Sequence, residues 1–199
     1  LGEIRGHAAP GYAPASILLD PRDIIIRTPG VNDGELSDGI ILGPEGGVDD
    51  WVISPGAIEG FAGDVTLEAT RDINILENIA KNNGGLTLIA GRDVNFGDPM
   101  AFNFGPLEVG ATALDFRAGR HVAEHMLLGT TLRASTGDIT LTATAGEVSF
   151  ALASVASGRT LTITQAMSRY FGAGPFGLVE NPGQTNVAVH VTNGFLILG

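Results

Sequence analysis

Apolar residues alternate with small polar ones through residues 63–96, and the alternation is stated twice. Val65, Leu67 and Ala69, followed by Ile73 and Ile75, return as Leu86, Leu88 and Ala90, followed by Val94 and Phe96. Alternation at period two buries one face of a strand and leaves the other wet. Arg71-Asp72 recurs as Arg92-Asp93, a period of about 21 residues, which falls in the range that marks a stacked-repeat architecture. Each repeat therefore reads as two or more short strands joined by a polar corner. One such turn of chain cannot bury its inner face alone, so the pattern predicts a parallel β-helix.

The same design runs through most of the chain. Residues 1–14 are irregular, with Pro10-Gly11 and Pro14 breaking any pattern. Residues 15–27 read as strand, Asp20-Pro21 corner and strand, the first coil. Residues 28–62 form an acidic excursion without Lys or Arg. Its first part, 31–50, shows neither helical nor strand periodicity. Ser54-Pro55 offers a helix N-cap with Pro at the first helical position, and Ala57, Ile58 and Phe61 supply an apolar face, predicting a short helix near 55–61. Trp51 pins the excursion to the rod. Residues 63–165 hold the main coils, interrupted by a second excursion at 97–110. Ala118-Gly119-Arg120 matches Ala90-Gly91-Arg92 there, which places His121 at the corner position of Asp93. Residues 166–199 form a loop bearing Tyr170, Phe171 and Phe176, then two apolar runs around Asn193-Gly194, a hairpin signal. At about 4.8 Å per coil, roughly seven coils give a rod of about 35 Å.

Composition narrows the possibilities. The net charge of −11 leaves few cations for nucleic acid or acidic lipid, and both are excluded as main partners. No run of about 18 apolar residues predicts membrane insertion. Zero cysteines exclude disulfides, thiolate metal sites and thiol nucleophiles. The opening Leu1-Gly2-Glu3 has neither an initiator Met nor a signal segment, which suggests a processed piece or a fragment.

Ile17-Leu-Leu-Asp-Pro-Arg-Asp-Ile-Ile-Ile26, then Ile53-Ser-Pro-Gly-Ala-Ile-Glu59, then the two Arg-Asp repeats, resemble the repeat region of filamentous-haemagglutinin-like large exoproteins, the passengers of two-partner secretion. The resemblance covers roughly residues 15–96 and, more loosely, 113–165. It implies a right-handed parallel β-helix, export across the outer membrane, and a role in adhesion or biofilm matrix. The Asn-Pro-Asn motifs of that family's secretion domain are not found in this sequence.

Four features carry candidate chemistry. His121-Val-Ala-Glu-His125 fits a zinc-peptidase pattern, which requires both His on one helix face. At a corner followed by strand the two would lie about 13 Å apart, too far to share a metal. The acids of 31–50 suit calcium in type but form no calcium-loop motif, and a solvated loop is the simpler reading. Stacking would align Arg71 with Arg92 and Asp72 with Asp93; paired carboxylates serve glycosidases, but a charged turn accounts for the same residues. The aromatics Tyr170, Phe171 and Phe176 suit either sugar stacking or anchoring of their own loop.

The expectation is an all-β, right-handed parallel β-helix with loop excursions and a C-terminal β-hairpin, in one domain. It has no catalytic residues, no cofactor and no metal. It is secreted or held at the cell surface, and builds a fibre or matrix by end-to-end self-association through Phe195, Leu196, Ile197 and Leu198. A second reading is an adhesin fragment that binds glycans or a cell-surface partner through the loops 31–50 and 97–110, and a third is a polysaccharide-degrading enzyme.

Overall fold

Each alternating run forms a strand, and a polar bend then turns the chain onto the next side of the rod. The computed structural model describes residues 17–19, 21–38, 50–97, 106–124, 130–149, 152–155, 160–165 and 186–191. In chain order its elements are β1 (Ile17–Leu19), β2 (Ile24–Ile26), α1 (Asp33–Asp38), β3 (Trp51–Ile53), α2 (Pro55–Gly60), β4 (Val65–Ala69), β5 (Asp72–Ile75) and β6 (Ile79–Ala80), then β7 (Leu86–Ala90), β8 (Asp93–Phe96), β9 (Glu108–Ala111), β10 (Leu114–Ala118), β11 (His121–Glu124) and β12 (Thr131–Ala134), and finally β13 (Ile139–Ala143), β14 (Val148–Ser149), β15 (Leu152–Val155), β16 (Thr160–Gln165) and β17 (Asn186–Val191).

The strands stack into three parallel sheets. The first runs β1-β4-β7-β10-β13-β16-β17, the second β14-β11-β8-β5-β2-β3, and the third β15-β12-β9-β6. From β4 to β16 successive strands visit the three sheets in rotation, which makes the chain a parallel β-solenoid. The turns opening at β4, β7, β10 and β13 are complete on all three sides among the described residues. The seven layers expected from the repeat length are present in the first sheet alone. The difference lies in the spacing: equivalent residues are 21 positions apart at Asn74 and Asn95 but 28 apart at Asp93 and His121.

Register stacks like on like. Leu67, Leu88, Phe116, Leu141 and Ile163 form one inward column of the first sheet, with Val65, Leu86, Leu114, Ile139 and Leu161 beside it. All ten are essentially buried. The ring of Phe116 meets that of Phe96 from the second sheet at a centroid distance of 5.8 Å and an angle of 47°. The outward residues between these columns include Thr66, Thr87, Thr140 and Thr162, β-branched and polar as a half-wet strand face favours.

At one end of the rod the acidic excursion covers the second sheet with β3 and the third with α2. β3 follows β2 in the chain yet stacks outside it, with Trp51 beside Ile24 and half-buried against the core. The expected short helix is present as α2, with Ser54 at its N-cap and Pro55 in its first turn. The stretch 31–50, read from sequence as aperiodic, contains a second short helix, α1. Its Asp33 explains the fold there, because that carboxylate accepts from both the amide and the hydroxyl of Ser54, each at 2.6 Å. At the other end, β17 runs parallel to β16 as the last layer of the first sheet. The second arm of the expected hairpin, with Phe195, Leu196, Ile197 and Leu198, lies outside the described residues, as do Tyr170, Phe171 and Phe176.

Phe116→Ala removes a ring from the centre of this column. It is expected to lower unfolding stability by about 3–5 kcal/mol, read from urea denaturation, because the coils above and below hold the cavity open. A cost below about 1 kcal/mol would mean that the coils collapse onto the space.

Candidate functional site

The Arg-Asp repeats fall on one corner, between the first and second sheets. Pairing of Asp72 with Asp93 and of Asp93 with His121 puts Asp23, Asp72, Asp93, His121 and Glu147 in one column, and Asp50 extends it beyond β2. Carboxylates stacked at about 4.8 Å would repel. Arginines offset by one layer remove the conflict. Arg71 donates from two nitrogens to the two carboxylate oxygens of Asp23, its Nε at 2.7 Å. Arg92 does the same to Asp72 at 2.7 Å and Arg120 to Asp93 at 2.9 Å. Arg22 reaches Asp50 with its Nη2 at 2.6 Å. Arg22, Arg71 and Arg92 also lie near the Asp of their own coil, at 3.8 Å from Asp23, 3.7 Å from Asp72 and 3.5 Å from Asp93. The charges thus alternate continuously along the rod.

The same carboxylates bind the next coil's backbone. Asp23 accepts from the Asp72 amide and Asp93 from the His121 amide, both at 3.1 Å. Burial pushes the Asp93 carboxyl up, but the hydrogen bonds and charge of Arg120, together with the His121 amide, outweigh it and hold the pKa below the ordinary aspartate value. Asp23 is lowered in the same way, against burial, by Arg71 and the Asp72 amide. The guanidinium groups of Arg71, Arg92 and Arg120 are raised, first by the hydrogen bonds to these partners. Carboxylates held ionised and bound by guanidinium forks are poor general acids, which need a raised pKa.

The ladder ends where its sequence changes. Gly146 takes the next Arg position, and a Cβ there would lie 2.2 Å from the Arg120 carbonyl and 2.6 Å from His121 Nδ1. Beneath it, His121 replaces Asp and accepts from the Glu147 amide through Nδ1 at 3.3 Å. The zinc-peptidase geometry is therefore not formed: His121 to Glu124 is a strand, and His125 lies outside the described residues. Among the described residues no three His, Asp or Glu side chains gather as metal ligands, and no helix is long and apolar enough to cross a membrane.

Two features escaped sequence reading. The chain's single lysine, Lys81, is almost fully buried. Its Nζ donates to the carbonyls of Ile58 at 3.2 Å and Phe61 at 2.7 Å, closing the end of α2, and sits 5.8 Å from the Phe61 ring centre. Burial pushes its pKa below the ordinary value, and the charge of Asp64 opposes this. Glu59 completes the junction by accepting from the Ala80 amide at 2.7 Å, so α2 holds the place of a strand beside β6. The second feature is a groove of about 590 Å³ over the outer face of β6, β9 and β12. No sequence signal marked it, since its floor is made of small residues.

No family model, curated protein or solved structure matches the chain.

Two outcomes test the corner and the junction. A carboxyl whose pKa is lowered on folding stabilises the fold above its unfolded pKa, and that contribution is lost as pH falls through the folded value. The urea midpoint is expected to fall as pH drops below the ordinary aspartate range. Asp93→Asn should begin about 1–3 kcal/mol less stable at neutral pH, nearer the low end because Arg120 is half-exposed, and should fall less on acidification. An unchanged acid slope in the variant would remove Asp93 from the linkage. Secondly, an amine-acylating reagent should leave Lys81 unmodified in the native protein and modify it in urea, read by peptide mass spectrometry. Modification at equal rates in both would show the junction to be open.

Proposed function

We propose that the chain is a non-catalytic structural protein of the cell exterior, a β-solenoid building block that extends a surface fibre or matrix by stacking end to end. The observation that supports this reading most is the alternating Arg-Asp corner. Its acidic and basic side chains are engaged with one another from coil to coil, so the polar residues repeated most regularly in the chain serve to align layers. The ladder aligns the layers from Asp50 to Arg120 and stops at His121 and Gly146, so addition of a further chain falls to the first sheet, which runs on to β17.

Other features agree. At one end β3 and α2 cover the second and third sheets, whereas at the other the first sheet runs past the other two to β17 among the described residues. In sequence the apolar run Phe195, Leu196, Ile197 and Leu198 comes shortly after β17, and strand addition at an open edge is a known assembly mode. The resemblance to passenger repeats of filamentous-haemagglutinin-like exoproteins supports the same reading and an extracellular location. An adhesin role finds its support in the flank of the rod. A polysaccharide-degrading role finds less, because Asp72 and Asp93 are committed to Arg92 and Arg120.

Negative-stain electron microscopy at several concentrations tests the proposal. Fibres about one solenoid wide are expected, growing with concentration and abolished by deletion of residues 195–198. Fibres that survive the deletion would move the contact elsewhere. Dispersed short rods at every concentration would overturn the assembly reading.

A further inference from the structure

The groove on the third sheet is built from residues that the fold itself does not require. Ala80, Gly110 and Arg133 are successive members of one register column on β6, β9 and β12. Gly110 stands inside a strand, where glycine is a poor choice. Neither space nor backbone explains it. A Cβ there would meet the Ile79 carbonyl at 3.7 Å and the Arg133 Cβ at 3.9 Å, both ordinary contacts, and Gly110 is not among the glycines with positive φ. Strand glycines occur at bulges, at tight bends and where a ligand or another backbone approaches closely, and the last of these suits a residue that lines an open groove. With Ala80 it leaves a flat, shallow floor.

The rim defines what fits. Glu108 accepts from Arg133 Nε at 2.6 Å, and both side chains remain more than half exposed. Asn82 and Ser135 stand on the opposite side, also exposed. The two exposed charges of the rim are thus paired with each other, and the third charged residue of the lining, Lys81, is buried with its Nζ on the Ile58 and Phe61 carbonyls, in a protein whose total charge is −11. An anionic ligand would have to displace Glu108 from Arg133, and a cationic one Arg133 from Glu108. A hydroxyl group donates and accepts at once, so it can bridge the pair without separating it. The volume of about 590 Å³ lies within the range of roughly 300–1,000 Å³ typical of ligand sites. Ala80 and Gly110 make the floor on two adjacent strands about 4.8 Å apart, with Arg133 next in the same column, a shape that suits a sugar ring lying with its C–H face on Ala80 and Gly110 and its neighbours reaching the rim. We propose that this groove binds a neutral oligosaccharide. It lies on the flank and not at an end, so it does not depend on the assembly proposed above.

Saturation-transfer NMR and titration calorimetry on the full chain test this, with maltotriose, cellotriose and N,N′,N″-triacetylchitotriose as neutral probes and trigalacturonate as the charged control. At least one neutral trimer should bind, and trigalacturonate should not. Gly110→Leu fills the floor and should weaken binding about tenfold or more, with the urea midpoint and fibre formation unchanged or improved. Ala80→Leu gives the same test from the neighbouring strand should the first variant fold poorly. Absence of binding by all three neutral trimers overturns the proposal. So does trigalacturonate binding as tightly as they do, or wild-type affinity in both variants.

Discussion

In-register stacking places every residue directly above its counterpart in the next coil, about 4.8 Å away. That single spacing governs the core, the corner and the groove. In the core it rewards repetition, because aliphatic residues in a column bury each other on both sides. Leu67, Leu88, Phe116 and Leu141 gain more from being stacked than any of them could gain in a lone turn. At a charged corner the same spacing punishes repetition. The Asp column is tolerable only because each Asp meets the Arg of the following coil, so that attraction along the rod replaces repulsion. A half-exposed guanidinium over a buried carboxylate also suits the geometry: the carboxylate is satisfied by a two-point fork and a backbone amide, while the cation keeps part of its hydration.

The end of the ladder obeys the same constraint. Once Gly146 stands where an Arg would be, an ionised Asp at position 121 would lie unpaired beneath the next coil. His121 avoids this by replacing the carboxylate with an imidazole whose Nδ1 accepts from the Glu147 amide. Two changes a full turn apart in sequence are thus one adjustment in space. The second sheet closes similarly: β14 is its last strand among the described residues, and the outward amide of Val148 is taken by the Gln165 side chain at 2.9 Å in place of another strand.

Much of this was legible because stacking writes itself into sequence as repetition. The period-two runs and the recurring Arg-Asp gave the solenoid, and matching Arg120 to Arg92 gave the register of His121. Ser54-Pro55 gave α2, since capping is local. What stayed hidden depends on contacts between distant residues. The cross-coil direction of the Arg-Asp pairs cannot be read from adjacent letters, which suggest a pairing within the coil. Among the described residues seven layers stand in the first sheet but only four turns are complete on all three sides, and coil length varies because insertions lengthen coils without adding layers. α1 has no apolar stripe, and its Asp33 is fixed by Ser54, 21 residues away. Lys81 shows no periodicity signal either, for its partners are backbone carbonyls that look alike in every sequence.

Gly110 belongs to a different class of hidden feature, and it bears on what the rod is for. A scaffold needs regular layers, and every departure from regularity weakens it slightly. Most departures here have a structural cause: β3 and α2 cover two sheets at one end, Lys81 ties α2 down, and Gly146 with His121 ends the ladder. Gly110 has none of these causes, and a β-branched residue would serve the third sheet better. A position that gives up strand stability while its backbone and neighbours would accept a side chain is better explained by something outside the chain. On the two proposals made above the rod is both support and display, its corner keeping the layers aligned and its third face offering the shallow groove.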